Sequence, residues 1–224
     1  MGRRAGPAAF LLDMIVNERI TTYIHSLETD NSPFMEELRR FAKETDVPII
    51  RREMESFLKV ILEIKKPKSI LEIGSGIAYS TLFMAGCTKS HITTIENYDK
   101  RLKLASENIL KSGLSDRITL IEGDALCALP FLKCPYDFIF MDAAKGQYIA
   151  FLPEAIRLLK KGGVLLADNV LQDGDLIESR YITERRQRTI HERMREFLWE
   201  VKHSEFLDTT IITIGDGVSL SIRK

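Results

Sequence analysis

The chain has 224 residues, of which 45% are hydrophobic and 29% are charged, and its 32 basic residues balance its 32 acidic ones. This length and composition are typical of one globular domain with a sizeable core, and they exclude a disordered or fibrous protein. The zero net charge gives no information about an acidic partner, although local basic clusters still can, and no apolar run approaches the ~20 residues that a membrane helix needs.

The three cysteines are widely spaced and form no CxxC pair. Neither a disulfide framework nor a zinc site is therefore expected, and a cytoplasmic location is predicted. Residues 1–16 contain Arg3 and Arg4 followed by an apolar patch, which suggests a signal peptide. Because Asp13 interrupts the patch and no small-residue cleavage site follows, we expect the start of an amphipathic helix instead.

Helical periodicity comes first along the chain, at 10–27, 35–44 and 52–64, and predicts a helical cap over residues 1–66 that covers the substrate. Short apolar runs then alternate with helical segments, which predicts a doubly wound, mostly parallel α/β sheet with right-handed crossovers. The predicted strands are 69–73, 91–95, 118–121, a fourth ending at Asp142 and a fifth ending at Asp168, with helices at 78–85, 99–112 and 148–160.

The C-terminal part follows a different pattern. After a helix predicted at 181–201, two β-rich stretches, 206–214 and 218–222, are separated only by the turn 215–217, Gly-Asp-Gly. This turn predicts an antiparallel hairpin. A Rossmann-like parallel sheet that ends in such a hairpin is typical, by analogy of fold, of class I methyltransferases rather than of dehydrogenases. Since no repeat or linker occurs, we expect one domain over residues 1–224.

The ends of the first three predicted strands carry features of a nucleotide site. Glu72 and Gly74 belong to the run 72–76, Glu-Ile-Gly-Ser-Gly, where glycine lets the backbone approach a ligand closely. Glu96, about 20 residues further on, can accept hydrogen bonds from ribose hydroxyls. Asp124 and Ala125 are placed for an adenine ring. The alternative is that Glu96 and Asp124 cap helices or lie in solvated turns.

NAD and S-adenosylmethionine compete as the nucleotide ligand. The pyrophosphate of NAD needs a complete glycine-rich turn at a helix N-terminus, and the third glycine of that motif is missing here. S-adenosylmethionine has no phosphate, and Glu72 can face its amino and sulfonium end. The incomplete glycine motif and the terminal hairpin therefore favour S-adenosylmethionine.

Polar residues also end the fourth and fifth predicted strands. Asp142 follows one apolar run, and Asp168 and Asn169 follow the next. Because the carboxyl ends of parallel strands share one edge of a sheet, these oxygens should converge, and they suit a hard divalent cation such as Mg²⁺. Lys145 should have a lowered pKa near two cations and could accept a proton from a substrate hydroxyl. Turn chemistry and a solvated lysine are the alternative.

Several segments together resemble a known family, the divalent-metal-dependent O-methyltransferases that include the catechol and caffeoyl-CoA enzymes. The resemblance extends over nearly the whole chain from about residue 15 onward. The run 142–148, Asp-Ala-Ala-Lys-Gly-Gln-Tyr, most resembles the branch that methylates 5-hydroxyuridine in bacterial tRNA. The other segments are 47–50, 67–74, 79–80, 123–126, 135–137, 168–171 and 215–217.

The resemblance implies an S-adenosylmethionine-dependent O-methyltransferase that uses Mg²⁺ and commonly forms a dimer. It implies Asp142, Asp168 and Asn169 as metal ligands and Lys145 as the base. The chain departs from the family at Ala78, where relatives more often have glycine before the tyrosine. Around the cofactor, the resemblance implies Ile50, Ser80, Glu96, Asp124, Ala125 and Asp142.

Two kinds of acceptor satisfy this site equally, because 5-hydroxyuridine offers its 5-hydroxyl beside the 4-carbonyl and a catechol offers two adjacent hydroxyls. Basic clusters could follow RNA phosphates, although Glu184, Glu192 and Glu196 interleave with the arginines as on a solvated helix face. The run 142–148 favours the tRNA anticodon loop, whose bases can be splayed out, and a small phenol is the alternative. One basic cluster consists of Arg180, Arg185, Arg186, Arg188, Arg193 and Arg195, and the other of Arg39, Arg40, Arg51, Arg52, Lys65, Lys66 and Lys68.

A protein that binds the cofactor without turnover is disfavoured by the complete set of polar site residues.

Overall fold

One sheet of seven strands organises this computed structural model, which describes residues 17–177 and 187–224. The strands are β1 (Ser69–Ile73), β2 (His91–Glu96), β3 (Ile118–Glu122), β4 (Tyr136–Met141), β5 (Leu159–Ala167), β6 (Leu207–Ile212) and β7 (Val218–Arg223). Their order is β3-β2-β1-β4-β5-β7-β6, in which β1 to β5 are parallel. β7 is antiparallel to both β5 and β6, so the predicted doubly wound sheet with a C-terminal hairpin is confirmed.

Helices cover both faces of the sheet. They are α1 (Glu18–Leu27), α2 (Pro33–Glu44), α3 (Arg52–Lys65), α4 (Tyr79–Cys87), α5 (Asp99–Ser112), α6 (Ala125–Ala128), α7 (Tyr148–Leu158) and α8 (Arg188–His203). Side chains alternate between the faces of a strand, so Phe138 and Phe140 pack with α2 to α5, while Ile139 and Met141 pack with α6 to α8. Burial on both faces explains why β4 reads as a continuous apolar run.

The helical cap lies against α4 and the sheet. Leu58 and Leu62 of α3 are buried with residues of β1 and β4. Arg39 of α2 pairs with Glu55 of α3 and also donates a hydrogen bond to the Tyr79 hydroxyl at 2.9 Å. These contacts place the loop between α2 and α3 beside the carboxyl ends of the strands.

Several element boundaries differ from the sequence prediction. The helix predicted at 148–160 ends at Leu158, because Leu159 is fully buried and already pairs with Tyr136 in the sheet. The ladder then shifts register before Phe138, so Gly162 and Gly163 lie within β5 rather than ending a helix. The helix predicted at 181–201 is described from Arg188 and continues to His203. Positions 181–186 and the predicted helix start at 10–16 lie outside the described residues.

No helix in the described part of the chain is long and apolar enough to cross a bilayer. Cys87, Cys127 and Cys134 carry free thiols. The early residues considered as a signal peptide, 1–16, lie outside the described ranges.

Candidate active site

A cavity of about 1040 Å³ opens at the carboxyl ends of β1, β2, β4 and β5. This is the edge at which open α/β sheets bind their ligands. The loop before α3 and the first turns of α8 form further walls. The predicted site residues on the wall are Ile50, Gly74, Ser80, Glu96, Ala125, Asp142, Lys145, Asp168 and Asn169.

Gly74 brings the end of β1 against the end of β4. Its φ is +94°, and a Cβ atom at this position would overlap the carbonyl oxygen of Asp142. The N–H groups of Gly74 and Ser75 both donate to the carbonyl of Ile95, at 3.0 and 3.2 Å. Glycine is therefore required here, because the close approach leaves no space for a side chain.

The turn continues to Ala78, the position at which the chain departs from the family. Ala78 has φ +66°, in the left-handed region, and it is fully buried at the N-terminus of α4. This conformation costs a non-glycine residue roughly 1–2 kcal/mol. Ala78 therefore carries backbone strain at the N-terminus of α4.

Glu96 lies on the cavity wall at the end of β2, as predicted. Its carboxylate accepts hydrogen bonds from the backbone N–H groups of Gly76 at 2.7 Å, Asn97 at 3.0 Å and Tyr98 at 2.9 Å. These bonds fix the carboxylate in the cavity. A carboxylate has lone pairs for about four such bonds, so capacity remains for a ligand hydroxyl.

Glu72 is not on the cavity wall, although the sequence suggested that it faces the cofactor. Its side chain is fully buried, and it accepts hydrogen bonds from three hydroxyls. These belong to Ser80 at 2.5 Å, Thr94 at 2.6 Å and Thr81. Glu72 therefore supports β1, β2 and α4 from behind the site.

Asp124 also has a structural partner. It is the N-cap of α6, where its carboxylate accepts a hydrogen bond from the N–H of Leu126 at 2.8 Å. The next residue, Ala125, is on the cavity wall. The capping alternative therefore describes the contact that Asp124 makes.

The pKa of Glu72 is raised to about 7, mainly by burial. The charge of Asp142 also raises it, whereas the hydrogen bonds from the three hydroxyls lower it. The folded state thus holds this proton more tightly than the unfolded chain, and the stability that Glu72 contributes is lost as pH rises from about 4.5 to about 7. In the variant Glu72→Gln this loss is absent. The difference in the free energy of unfolding, variant minus native protein, should therefore increase by about 3 kcal/mol as the pH rises across that range.

Urea unfolding at a series of pH values measures this difference. Glu122→Gln, at an exposed glutamate, is the control and should follow the native profile. Parallel profiles for Glu72→Gln and the native protein would contradict the prediction.

Asp142, Lys145, Asp168 and Asn169 converge as predicted. Lys145 begins a short 3₁₀ turn, Lys145–Gln147, just after β4, and its ammonium group points back to the ends of β4 and β5. It donates to Asp142 Oδ1 at 2.7 Å and to Asn169 Oδ1 at 2.8 Å, and it lies 3.4 Å from the Asp168 carbonyl oxygen. A cationic nitrogen therefore lies among oxygens from two adjacent strand ends.

The pKa of Lys145 does not follow the expected direction. Burial lowers it, but the Tyr148 oxygen and the Asp142 carboxylate together raise it above its usual range. The pKa of Asp168 is also raised, first by burial and then by the neighbouring charge of Asp142. Asp142 contributes to both directions, because its negative charge favours the cationic form of Lys145 and disfavours a second negative charge on Asp168.

This donor set fits a divalent metal ion. Asp142, Asp168 and Asn169 offer two carboxylates and one amide oxygen, and hard cations such as Mg²⁺ prefer oxygen ligands. Among the described residues no group of three Asp, Glu, His or Cys side chains is arranged to hold a metal. A metal site here would therefore depend on the Asn169 oxygen as well as on the carboxylates.

Two residues near the cluster, Tyr148 and Asp216, were not predicted as site residues from the sequence. The Tyr148 hydroxyl lies 3.1 Å from the Met141 carbonyl and 3.0 Å from the Asp168 carbonyl, and it accepts a hydrogen bond from Lys145 at 3.0 Å. Asp216 accepts a hydrogen bond from the Asn169 side chain. Both lay in segments noted for the resemblance, but periodicity marked them only as a helix residue and a turn residue.

The basic clusters separate into two groups. Arg39 and Arg52 form ion pairs with Glu55 and Glu36, respectively, within the cap. Arg193 of α8 lines the cavity, and its guanidinium donates to the Gly146 carbonyl at 3.2 Å. Arg51, in the loop before α3, also lines the cavity, so one arginine from each basic cluster lies at the candidate site. Arg180, Arg185 and Arg186 lie outside the described residues.

Comparison with known proteins identifies relatives over most of the chain. A family model described as O-methyltransferase matches residues 25–224. A catechol O-methyltransferase from Niastella koreensis is 31% identical over 75% of this chain and 79% of its own length. The tapetum-specific methyltransferase 1 of Arabidopsis thaliana is 32% identical over 75% of this chain and 74% of its own. The structure is also similar to that of an O-methyltransferase from Bacillus cereus in complex with SAH, with a TM-score of 0.80, 26% identity, and coverage of 92% of this chain and 97% of the other.

Proposed function

We propose that this chain, which belongs to the O-methyltransferase family, methylates 5-hydroxyuridine in tRNA to 5-methoxyuridine, assisted by Mg²⁺. It is an S-adenosylmethionine-dependent O-methyltransferase of the catechol and caffeoyl-CoA type. The observation that carries the reaction is the convergence of Asp142, Lys145, Asp168 and Asn169 on the same cavity as Glu96. The cavity thus joins a wall suited to a nucleoside with a cluster suited to a hydroxyl acceptor.

S-adenosylmethionine supplies the methyl group when it is bound. In the proposed arrangement Glu96 accepts hydrogen bonds from the ribose hydroxyls, and Ala125 faces the adenine ring. Gly74 lets the backbone approach the cofactor, and Ile50 contributes an apolar wall. All four residues lie on the cavity.

Asp142, Asp168 and Asn169 would hold the Mg²⁺ ion, which would supply Lewis-acid chemistry that orients a substrate hydroxyl and lowers its pKa. The placement of Asp142 and Asp168 on one cavity wall supports this assignment, because a bound cation relieves the repulsion between two neighbouring carboxylates. Asp142 also lines the cavity next to Gly74, so it can contribute to both ligand sites.

Lys145 is the proposed base. Its Nζ lies within 3 Å of Asp142 and Asn169, so a substrate oxygen held at these groups would be within its reach. The same contacts stabilise the charged form of the lysine. Lys145 can accept a proton only in its neutral form, so its ammonium group must first lose a proton to solvent, and the Asp142 ion pair opposes that loss.

The tRNA acceptor is supported by the run 142–148 and by Arg193 at the cavity. The alternative acceptor is a small phenol with two adjacent hydroxyls, and one relative named as a catechol O-methyltransferase favours it. Both acceptors present neighbouring oxygens to the same residues. The difference between them lies in contacts outside the reacting cluster, where only tRNA offers phosphates.

A competition between the two acceptors tests the substrate. The purified enzyme receives S-adenosylmethionine, Mg²⁺, catechol and tRNA that carries 5-hydroxyuridine, and mass spectrometry measures both products. We expect kcat/KM for tRNA to exceed that for catechol by roughly 100-fold or more, since only tRNA uses the surrounding contacts. A higher value for catechol would contradict the tRNA assignment, as would unchanged 5-methoxyuridine in tRNA from a deletion strain.

The variant Arg193→Ala separates the two acceptors further. Loss of one phosphate contact should reduce the salt dependence of tRNA binding by about 1 in the log–log slope and leave KM for catechol unchanged. Arg19→Ala, at an exposed arginine of α1, is the matched control. An equal effect of Arg193→Ala on both acceptors would argue against a phosphate contact.

The proposed assembly is a homodimer in the cytoplasm. α1 exposes Ile20, Tyr23 and Leu27, which recur at helical spacing and are each more than half exposed. An exposed apolar helix face is typical of a protein interface. Light scattering that gives the mass of a single chain would contradict the dimer.

A further inference from the structure

The turn between β6 and β7 reaches the end of β5. Asn169 Nδ2 donates a hydrogen bond to Asp216 Oδ2 at 2.9 Å, and the other carboxylate oxygen of Asp216 lies 2.5 Å from Arg51 Nη2. We infer that Asp216 is a positioning residue that holds the Asn169 side chain with its oxygen, and not its nitrogen, toward the cation site. This inference rests on the metal site of the proposed function.

The orientation of an asparagine amide follows from its partners. Asp216 as a carboxylate can only accept, so the amide group that faces it must be the NH₂ group. Lys145 can only donate, and its Nζ lies 2.8 Å from Asn169 Oδ1, so the group that faces it must be the oxygen. The two contacts lie on opposite sides of the amide and assign the same orientation independently. A flipped amide would direct two N–H donors at the position of the cation.

The backbone of the hairpin turn is fixed against the segment that follows Asn169. The carbonyl of Asp216 accepts hydrogen bonds from Leu171 N at 2.9 Å and from Gln172 N at 3.1 Å. The carbonyl of Gly217 accepts one from Val170 N at 2.9 Å. A Cβ atom on Gly217 would overlap the Leu171 side chain, so the turn and this segment are in close contact. Asp216 is therefore supported at both its backbone and its side chain.

Arg51 determines what a neutral residue at 216 would do. The guanidinium can only donate, so it would face the oxygen of an asparagine there and turn the new NH₂ group toward Asn169. Asn169 could then satisfy only one of its two partners: a flip would offer its oxygen to that group but turn its nitrogen toward Lys145 and the cation site, and without a flip two NH₂ groups would face each other. The substitution Asp216→Asn changes almost no volume, yet in either state the ligand oxygen is no longer held toward the cation site.

The test measures Mn²⁺ binding by calorimetry on the whole protein saturated with SAH. Partners that orient metal ligands typically contribute a factor of 10–100 in metal affinity, so Asp216→Asn should weaken Mn²⁺ binding by roughly that factor. SAH affinity and Tm should stay close to the native values. Asp208→Asn, at an exposed carboxylate of β6 that pairs with Lys224, is the matched control and should bind Mn²⁺ like the native protein.

Exchanging the two groups gives a sharper test. In Asn169→Asp the two carboxylates would face each other without a proton, whereas in the double variant Asn169→Asp/Asp216→Asn the new amide donates to the new carboxylate and accepts from Arg51. Asp216→Asn should therefore weaken Mn²⁺ binding when residue 169 is Asn, but strengthen it when residue 169 has been changed to Asp.

Three results would overturn the inference in different ways. If Asp216→Asn binds Mn²⁺ as tightly as the native protein, Asp216 does not position the ligand. If Asp216→Asn has the same effect in both backgrounds, Asp216 acts through its charge or the fold rather than through the amide. If the native protein itself binds no Mn²⁺, the proposed metal site fails, and this inference fails with it.

Discussion

Replacement of Lys145 by alanine should lower kcat for methyl transfer by about 10²–10⁴-fold, the range that a positioned acid or base contributes. Lys145 Nζ lies within 3.0 Å of oxygen atoms of Asp142, Asn169 and Tyr148, at the centre of the reacting cluster. The substitution therefore removes the proposed proton acceptor from this position. The affinity for SAH should change little, because the ribose side of the cavity is formed by other residues. Single-turnover kinetics and calorimetry measure the two quantities separately.

Two further variants make the result specific. Lys160→Ala is the control, because Lys160 also forms an ion pair, 2.8 Å from Asp137, but does not line the cavity. This substitution should leave kcat unchanged. Lys145→Arg keeps a positive charge on a group that does not release its proton in proteins. Activity close to native in Lys145→Arg would show that the residue acts through its charge and not as a base.

Gly74→Ala should weaken SAH binding strongly and destabilise the fold. The added Cβ would overlap the Asp142 carbonyl, and φ at this position is +94°. Overpacking and an unfavourable backbone conformation together cost about 2–5 kcal/mol, which corresponds to a fall in Tm of roughly 5–15 °C for a chain of this size. The ends of β1 and β4 would have to separate, and both walls of the cavity would move with them.

Gly86→Ala is the matched control for this substitution. Gly86 lies in α4, has no positive φ, and has open space where its Cβ would be. Alanine there should raise the free energy of unfolding by about 0.5–1 kcal/mol through helix propensity. A Gly74→Ala protein with native Tm and native SAH affinity would contradict the close approach of the two strand ends.

The sheet and most of the reacting cluster could be predicted from the amino-acid sequence. Strands, helices and the terminal hairpin follow from periodicity and turn residues, which are properties of neighbouring positions. Asp142, Lys145, Asp168 and Asn169 could be placed together because carboxyl ends of parallel strands share one edge. The error at the end of the helix predicted at 148–160, which stops at Leu158, arose where a long-range ladder contact of Leu159 outweighed the local pattern.

Which polar groups face the cavity, and what surrounds them, depends on the packing of the whole fold. Glu72 and Glu96 are both carboxylates near strand ends, yet one is enclosed by hydroxyls and the other lines the wall. The contact of Asp216 with Asn169 likewise joins segments far apart in sequence. Burial and hydrogen-bond geometry are set by packing between such segments, and no local pattern records them.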